Sequence, residues 1–242
     1  MMKRTLLGVL TPSSNTILEP VTAQIVADLP DVSAHFGRLR VTEISLSDSA
    51  LKQFDEEPFV EASRLLADAR VEAIVWSGTA AGWRGFEHDE AICKAIHQAT
   101  GIEATTSVLA LNDAFDKQGV KNFGLVTPYL HDVQEKILQN YAQAGYNCVA
   151  ERHLNDRGNF SFSEYSEETI ADMVREVAAE GQCDAITIFC TNMRGARVAA
   201  ELEKELNIPI YDSVSTGVWK AMLIADQDPS RIQGWGSLFN LV

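Results

Sequence analysis

Short apolar runs alternate with amphipathic segments along the chain. Runs typical of buried parallel strands occupy residues 5–10, 39–44, 72–77, 103–106, 122–127, 148–154, 185–189 and 208–211. Helical spacing of apolar residues follows the segment 12–16 and continues to residue 29, and it recurs at 58–69, 90–100, 108–117, 131–144, 166–180, 196–206 and 213–225. Residues 83–88 are predicted as a loop. Regular alternation of strands and helices predicts an α/β fold in which helices flank parallel sheets.

Two sequence motifs recur at nearly the same spacing. Residues 72–79 and 184–191 both begin with an acidic residue and Ala-Ile, and both end in Thr. Residues 8–13 and 124–129 both begin with Gly and contain Thr-Pro. We therefore predict two pseudo-symmetric, Rossmann-like halves with the active site in the cleft between them. The predicted halves are residues 1–119, whose closing helix could cross over to the other half, and residues 120–242.

Composition narrows the class of partner. The chain has 242 residues, of which 46% are hydrophobic, and a formal net charge of −14. Such a charge disfavours nucleic acid and anionic membrane surfaces as partners, and no apolar run approaches the ~20 residues that cross a bilayer. The N-terminal apolar run is too short for a signal peptide. These features predict a cytoplasmic protein that acts on a small molecule, and they leave a homo-oligomer open.

Polar loops follow many of the predicted strands. They occupy residues 12–16, 77–81, 127–129, 191–194 and 213–216. Free N–H groups and the partial positive charge of helix N-termini bind anions there. Because neither Gly-Lys-Ser/Thr nor Gly-x-Gly-x-x-Gly occurs, a small carboxylate is favoured over a nucleotide phosphate. The alternative interpretation is that these Ser, Thr and Asn residues only cap helices.

Cys190 is the cysteine placed best for chemistry. It ends a predicted strand, and Thr191 and a helix N-terminus follow it, which would tune a thiol. A cysteine at a strand end can also be a small buried apolar residue. The remaining three cysteines lie on helix or strand positions or before a strand, and we interpret them as structural: Cys93, Cys148 and Cys183. Cys93 and His97 are four residues apart on a helix, but spacing places no third metal ligand.

Several other residues have two possible roles. Tyr129 follows Thr-Pro and either points its hydroxyl into the cleft or packs in the core. Arg194 either pairs with a substrate carboxylate or covers the surface. Residues 87–90 are interpreted as a solvated helix start. A further group either shapes the pocket or belongs to the core: Trp76, Trp83 and Met193.

Taken together, the polar motifs resemble the Asp/Glu racemase superfamily, and in particular its branch of maleate cis-trans isomerases and arylmalonate decarboxylases. The motifs are residues 12–16, 77–79, 127–129, 190–191 and 212–213. The resemblance covers the whole chain, and the motifs keep their order and spacing. It implies a small acid bound between two α/β halves, with no metal or organic cofactor.

The resemblance also implies a reaction. Racemases and maleate isomerases of this superfamily carry a cysteine in each half, whereas this chain has Gly78 at the first position and keeps only Cys190. That arrangement looks like arylmalonate decarboxylase, in which a dioxyanion hole holds one carboxylate and the other leaves as CO2. The cysteine then protonates the enediolate. By position, the hole would comprise Thr79, Tyr129 and the N–H groups near Ala80 and Thr191.

Two further activities stay open. Ala80 stands where the decarboxylase pattern has a second hydroxyl, and the loop at residues 12–16 resembles that of the isomerases more closely. A maleate isomerase, or a degenerate protein that only binds a carboxylate, is therefore an alternative. The remaining implied substrate-binding residues are Pro12, Asn15, Gly78 and Asn159. Asn155 fits the place of Asn159 nearly as well.

Overall fold

A computed structural model describes residues 4–242 and contains two four-stranded parallel sheets. The first sheet has the order β2-β1-β3-β4 and is built from β1 (Thr5–Pro12), β2 (Val32–Leu39), β3 (Ala73–Trp76) and β4 (Ala104–Thr106). The second has the order β6-β5-β7-β8 and is built from β5 (Asn122–Thr127), β6 (Asn147–His153), β7 (Ala185–Ile188) and β8 (Ile210–Asp212). The shared strand order confirms the predicted duplicated α/β fold.

Helices connect successive strands and bury one face each against the sheets. They are α1 (Leu18–Ile25), α2 (Asp48–Leu51), α3 (Glu56–Asp68), α4 (Ala81–Arg84), α5 (Phe86–Thr100), α6 (Ser107–Gln118), α7 (His131–Gln143), α8 (Glu167–Glu180), α9 (Gly195–Leu206) and α10 (Ser213–Ile224). Polar side chains begin several of them: Thr106, Ser166 and Asp212 each accept a hydrogen bond from a backbone N–H in the first turn. Every helix among residues 4–242 is too short or too polar to span a bilayer.

The two sheets are joined through helices that pack across the repeat. Helix α10, which follows the last strand of the second sheet, packs against α6 and β3 of the first half, and α4 packs against α7. Gly217 in α10 allows this close approach, because a Cβ there would lie 3.1 Å from the side chain of Val75. As a result, the carboxyl ends of β3 and β7 contribute to one site.

The predicted strand at residues 39–44 is wrong. The strand lies before it, at Val32–Leu39, and it is an edge strand whose residues are mostly half-buried. An edge strand has no need of a continuous apolar run, which is why residues 32–38 did not have the pattern of a buried strand. Val41 and Ile44 are nevertheless buried, and both line the cavity described below.

The predicted loop at residues 83–88 is also wrong. The short helix α4 ends at Arg84, and α5 already begins at Phe86. Gly85 separates the two helices with a φ of 104°, a conformation that glycine adopts most readily. The solvated helix start expected at residues 87–90 is wrong for Asp89, whose side chain is fully buried.

Candidate active site

One small cavity of about 20 Å³ lies between the halves and brings most of the predicted site residues together. This inter-half cavity is lined by Pro12, Val41, Ile44, Phe54, Trp76, Gly78, Thr79, Ala80, Trp83, Tyr129, Asn159, Cys190 and Thr191. Of the catalytic and substrate-binding residues implied by the resemblance, only Asn15 is absent from this lining. The predicted positions therefore converge in space although they come from five separate loops.

Cys190 lies two residues beyond β7 and is almost fully buried. The backbone N–H of Asn192 lies 3.4 Å from its Sγ. Burial raises the pKa of the Cys190 thiol to about 12, although hydrogen bonds from Asn192 and Tyr129 act in the opposite direction. The thiol is therefore protonated at neutral pH and can donate a proton.

The hydroxyls of Thr79 and Tyr129 meet across the two halves. Their oxygen atoms lie 2.6 Å apart, and both side chains are buried. The Tyr129 hydroxyl also interacts with the Cys190 thiol, and burial raises the pKa of Tyr129 well above its ordinary value. Tyr129 thus stays neutral and connects the first-half hydroxyl to the second-half thiol. Both roles left open for Tyr129 are present in the structure, since the residue lines the cavity and its ring packs edge-on against Trp83 and Phe162.

Thr191, from the second half, forms hydrogen bonds with two residues of the first half. The Nδ2 of Asn15 donates to Thr191 Oγ1 at 3.1 Å, and Thr191 Oγ1 lies 3.2 Å from the carbonyl oxygen of Ser77. Asn15 Oδ1 accepts hydrogen bonds from the N–H groups of Ile17 and Leu18, each at 2.9 Å. Asn15 therefore caps α1 and holds Thr191 from behind the cavity wall.

Asn159, rather than Asn155, lies at the cavity. Its Nδ2 donates to Ser14 Oγ at 2.8 Å, and its backbone carbonyl oxygen accepts from Asn192 Nδ2 at 2.6 Å. The Oδ1 of Asn192 also accepts from the N–H of Thr16 at 2.9 Å. Ser14 and Asn192 lie in the polar loops predicted at residues 12–16 and 191–194, but neither was proposed from the sequence as a substrate-binding residue. Asn192 directly follows Cys190 and Thr191, and that adjacency was the available signal.

Part of the cavity lining is apolar and aromatic. Trp76 and Trp83 line it, whereas Met193 is fully buried elsewhere. Phe54 packs edge-on against Trp83, with ring centroids 6.1 Å apart. Val41 and Ile44, with Phe54, come from the segment that follows β2, and sequence reasoning missed this part of the wall.

The other candidates lie away from the cavity. Arg194 donates through Nε to the carbonyl oxygen of Ser163 at 3.1 Å and lines a separate surface groove. Cys93, Cys148 and Cys183 are half-buried and do not line the cavity, and burial raises the pKa of each thiol. Within residues 4–242, no group of His, Cys, Asp and Glu side chains is arranged to hold a metal ion.

Comparisons with known proteins give matches along almost the whole chain. A sequence profile described as arylmalonate decarboxylase matches residues 8–239. The arylmalonate decarboxylase of Bordetella bronchiseptica is 25% identical over 97% of this chain and 96% of its own length. A maleate isomerase of Geobacillus stearothermophilus is 22% identical over 92% of each chain. The crystal structure of a maleate isomerase from Pseudomonas putida S16 with maleate superposes with a TM-score of 0.90 at 20% identity, covering 99% of both chains.

Proposed function

The chain belongs to the arylmalonate decarboxylase family, and from this premise we propose that it is a lyase that decarboxylates a small substituted malonate, with Cys190 as proton donor. The retained carboxylate binds Thr79, Tyr129 and the N–H groups near Ala80 and Thr191. Pro12, Gly78 and Asn159 complete the wall around the substrate, and Asn15 holds Thr191 in place. The reaction needs no cofactor in this proposal.

The proposed reaction is balanced by one molecule of water. The bond between the α-carbon and the leaving carboxylate breaks, and its electron pair moves into the retained carboxylate to form an enediolate. Hydrogen-bond donors aimed at this group stabilise the charge where it develops. The Cys190 S–H bond then breaks, and its proton goes to the α-carbon. The thiolate recovers a proton from water, which leaves hydroxide.

The single observation that carries the proposal is the buried, protonated thiol on only one side of the cavity. Burial raises the pKa of Cys190 to about 12, so the group is a proton donor rather than a thiolate. The corresponding first-half position is Gly78, which has no side chain. One acid can protonate a planar enediolate from one face, whereas racemisation needs a second acid–base group on the opposite face.

Maleate cis-trans isomerisation is the second candidate function. It is favoured by Asn15 and Asn159, whose loops resemble those of the isomerases and which lie at or directly behind the cavity. By resemblance, isomerisation relies on a first-half cysteine that adds to the double bond. In this chain Gly78 occupies that position, so Cys190 would have to add to the double bond itself.

The test is proton NMR of the purified protein in D2O. Phenylmalonate, 2-methyl-2-phenylmalonate and maleate are offered separately, with heat-denatured protein as the control. We expect loss of CO2 from at least one malonate and, from the disubstituted substrate, one enantiomer carrying a single α-deuterium. Fumarate formed from maleate, with both malonates unchanged, would replace the lyase by the isomerase. No reaction with any of the three would contradict the lyase and leave a carboxylate-binding protein.

The pH dependence distinguishes the two roles of the thiol. A protonated donor with a pKa near 12 keeps its activity constant from pH 7 to 9. A thiolate that adds to a double bond would instead gain about tenfold in rate for each pH unit below its pKa. Initial rates across this range, with buffer and ionic strength held constant, separate a flat profile from a rising one.

A further inference from the structure

The inter-half cavity is lined by residues with buried hydrogen-bond donors that no group among residues 4–242 satisfies. Trp219 donates from Nε1 to the carbonyl oxygen of Leu241 at 2.7 Å. By contrast, the Nε1 atoms of Trp76 and Trp83 are buried and have no hydrogen-bond partner among the described residues. Both tryptophans line the cavity. An indole N–H can only donate, so the missing partner must be an acceptor atom.

Of these two indoles, that of Trp76 has the better-defined position. Trp76 ends β3, and its ring folds back over Gly78. A Cβ built on Gly78 would lie 2.2 Å from Cζ2, 2.4 Å from Cε2 and 2.9 Å from Nε1 of this ring. Phe59 packs edge-on against the indole, with ring centroids 4.9 Å apart. Glycine at position 78 thus leaves room for the N–H edge of the Trp76 ring, and both Trp76 and Thr79 line the cavity.

The side-chain hydroxyls that line the same cavity supply few hydrogen-bond donors for an anion. Thr79 and Tyr129 have one hydroxyl hydrogen each, and the 2.6 Å contact between their oxygens uses one of the two. The side chain of Ala80 has no donor. A carboxylate in this place has two oxygen atoms with several lone pairs to satisfy. The side-chain hydroxyls alone therefore leave the anion short of donors.

From these contacts we infer that the indole N–H of Trp76 donates a hydrogen bond to the carboxylate of the bound substrate. This inference rests on the proposed function, because it assigns a further substrate-binding residue to the same site. It also explains why the first half has glycine at position 78, where the second half has Cys190. The first half contributes an indole donor to the cavity, and the second half contributes the thiol.

The inference is tested by two-dimensional NMR of protein labelled with ¹⁵N at the indole nitrogens. Phenylacetate and propionate are titrated in, because these acids bind as products and are not decarboxylated; phenylacetamide is the neutral control. The Trp76 signal is assigned with Trp76→Phe. We expect the Trp76 indole proton to move downfield on carboxylate binding, while the Trp219 signal stays in place. An unchanged Trp76 signal at saturation, or no binding of either acid, would overturn the inference.

Binding constants provide the second measurement. Trp76→Phe keeps an aromatic ring and removes the N–H, and we expect the Kd for phenylacetate to rise about tenfold or more, as for loss of a hydrogen bond to a charged group. Trp235→Phe, which removes an indole outside the cavity, should leave Kd unchanged. Equal binding by Trp76→Phe and the unaltered protein would overturn the inference. Because only binding is measured, absence of decarboxylation would refute the lyase and leave this result standing.

Discussion

The two halves of the molecule share a framework and differ in the chemistry they offer the cavity. β3 and β7 occupy the same place in their sheets. Two residues beyond them lie Gly78 and Cys190, and each is followed by a threonine. The duplicated backbone thus keeps a hydroxyl in both halves and a thiol in only one. A cavity built in this way has a single side-chain acid.

The residue that ends each of these strands accounts for the difference. In the second half Ile188 packs against Gly195, where an added Cβ would lie 2.7 Å from its Cγ2. In the first half Trp76 turns its ring over Gly78 and excludes a side chain there. The first half therefore combines a large residue at the strand end, Trp76, with glycine two residues later. The second half combines the smaller Ile188 with Cys190 at the corresponding positions. The shape of the cavity depends on which of the two positions holds the larger side chain.

The largest expected effect comes from removing the one thiol. We expect Cys190→Ala to lower kcat by about 10²–10⁴-fold, the usual contribution of a general acid, with substrate binding retained. Steady-state decarboxylation rates and calorimetric binding measure the two quantities. Cys148→Ala is the matched control, because this thiol lies on β6 outside the cavity. Comparable activity in Cys190→Ala and Cys148→Ala would mean that the halves do not differ in the proposed way.

Removing the hydroxyl that links the halves should have the next largest effect. Tyr129→Phe deletes one member of the 2.6 Å contact with Thr79, and we expect kcat to fall about 10²-fold, as for the loss of one oxyanion donor. Tyr141→Phe is the control, since the Tyr141 hydroxyl is buried, has no hydrogen-bond partner within the part of the chain that the structure describes, and belongs to a residue outside the cavity lining. Equal rates in the two variants would exclude a role for Tyr129 in stabilising the enediolate.

A side chain added in the first half should destabilise the fold. We expect Gly78→Ala to lower the free energy of unfolding by about 2–3 kcal/mol, because its Cβ would overlap the Trp76 ring. Urea unfolding of Gly78→Ala, Trp76→Leu and the double variant gives the coupling between the two positions. We expect it to exceed about 1 kcal/mol, since the smaller side chain relieves the overlap. Additive effects would contradict the position of the indole.

The smallest expected effect concerns a buried carboxyl in each half. Burial raises the pKa of Asp89 and of Asp212 to about 7. At Asp212, burial outweighs hydrogen bonds from the backbone N–H groups of Val214 and Ser215, which act to lower the pKa. At Asp89, burial outweighs the hydroxyl of Thr106, which also acts to lower the pKa. Because the folded pKa lies above the unfolded one, the contribution of each of these two carboxyls to stability is fully present below about pH 4 and is lost as pH rises through 7.

Asp89→Asn tests this sign. The amide does not ionise, so we expect the variant to gain stability relative to the unaltered protein between pH 5 and pH 6, by about 1 kcal/mol. Urea unfolding at both pH values measures the difference. Glu168→Gln, on the exposed first turn of α8, is the control and should show no such gain. A constant difference between Asp89→Asn and the unaltered protein would mean that Asp89 stays ionised in the fold.

Patterns that are local in the chain were enough to predict the framework. Apolar runs of strand length, helical spacing and two repeated motifs predicted the duplicated α/β fold, because burial of a strand or of one helix face imposes a short period on the sequence. The same patterns placed polar loops at the strand ends. Where the pattern was weak, as in the half-buried edge strand β2, the prediction failed.

Only the tertiary structure decided how these pieces act together. The contact of Thr79 with Tyr129, the hold of Asn15 on Thr191 and the position of the Trp76 ring join residues through packing and hydrogen bonds between separate elements. The raised pKa of Cys190 likewise depends on burial by the whole fold. Sequence alone thus indicated which groups were available for chemistry. Their distances and charge states follow from packing between distant segments, which short-range periodicity does not encode.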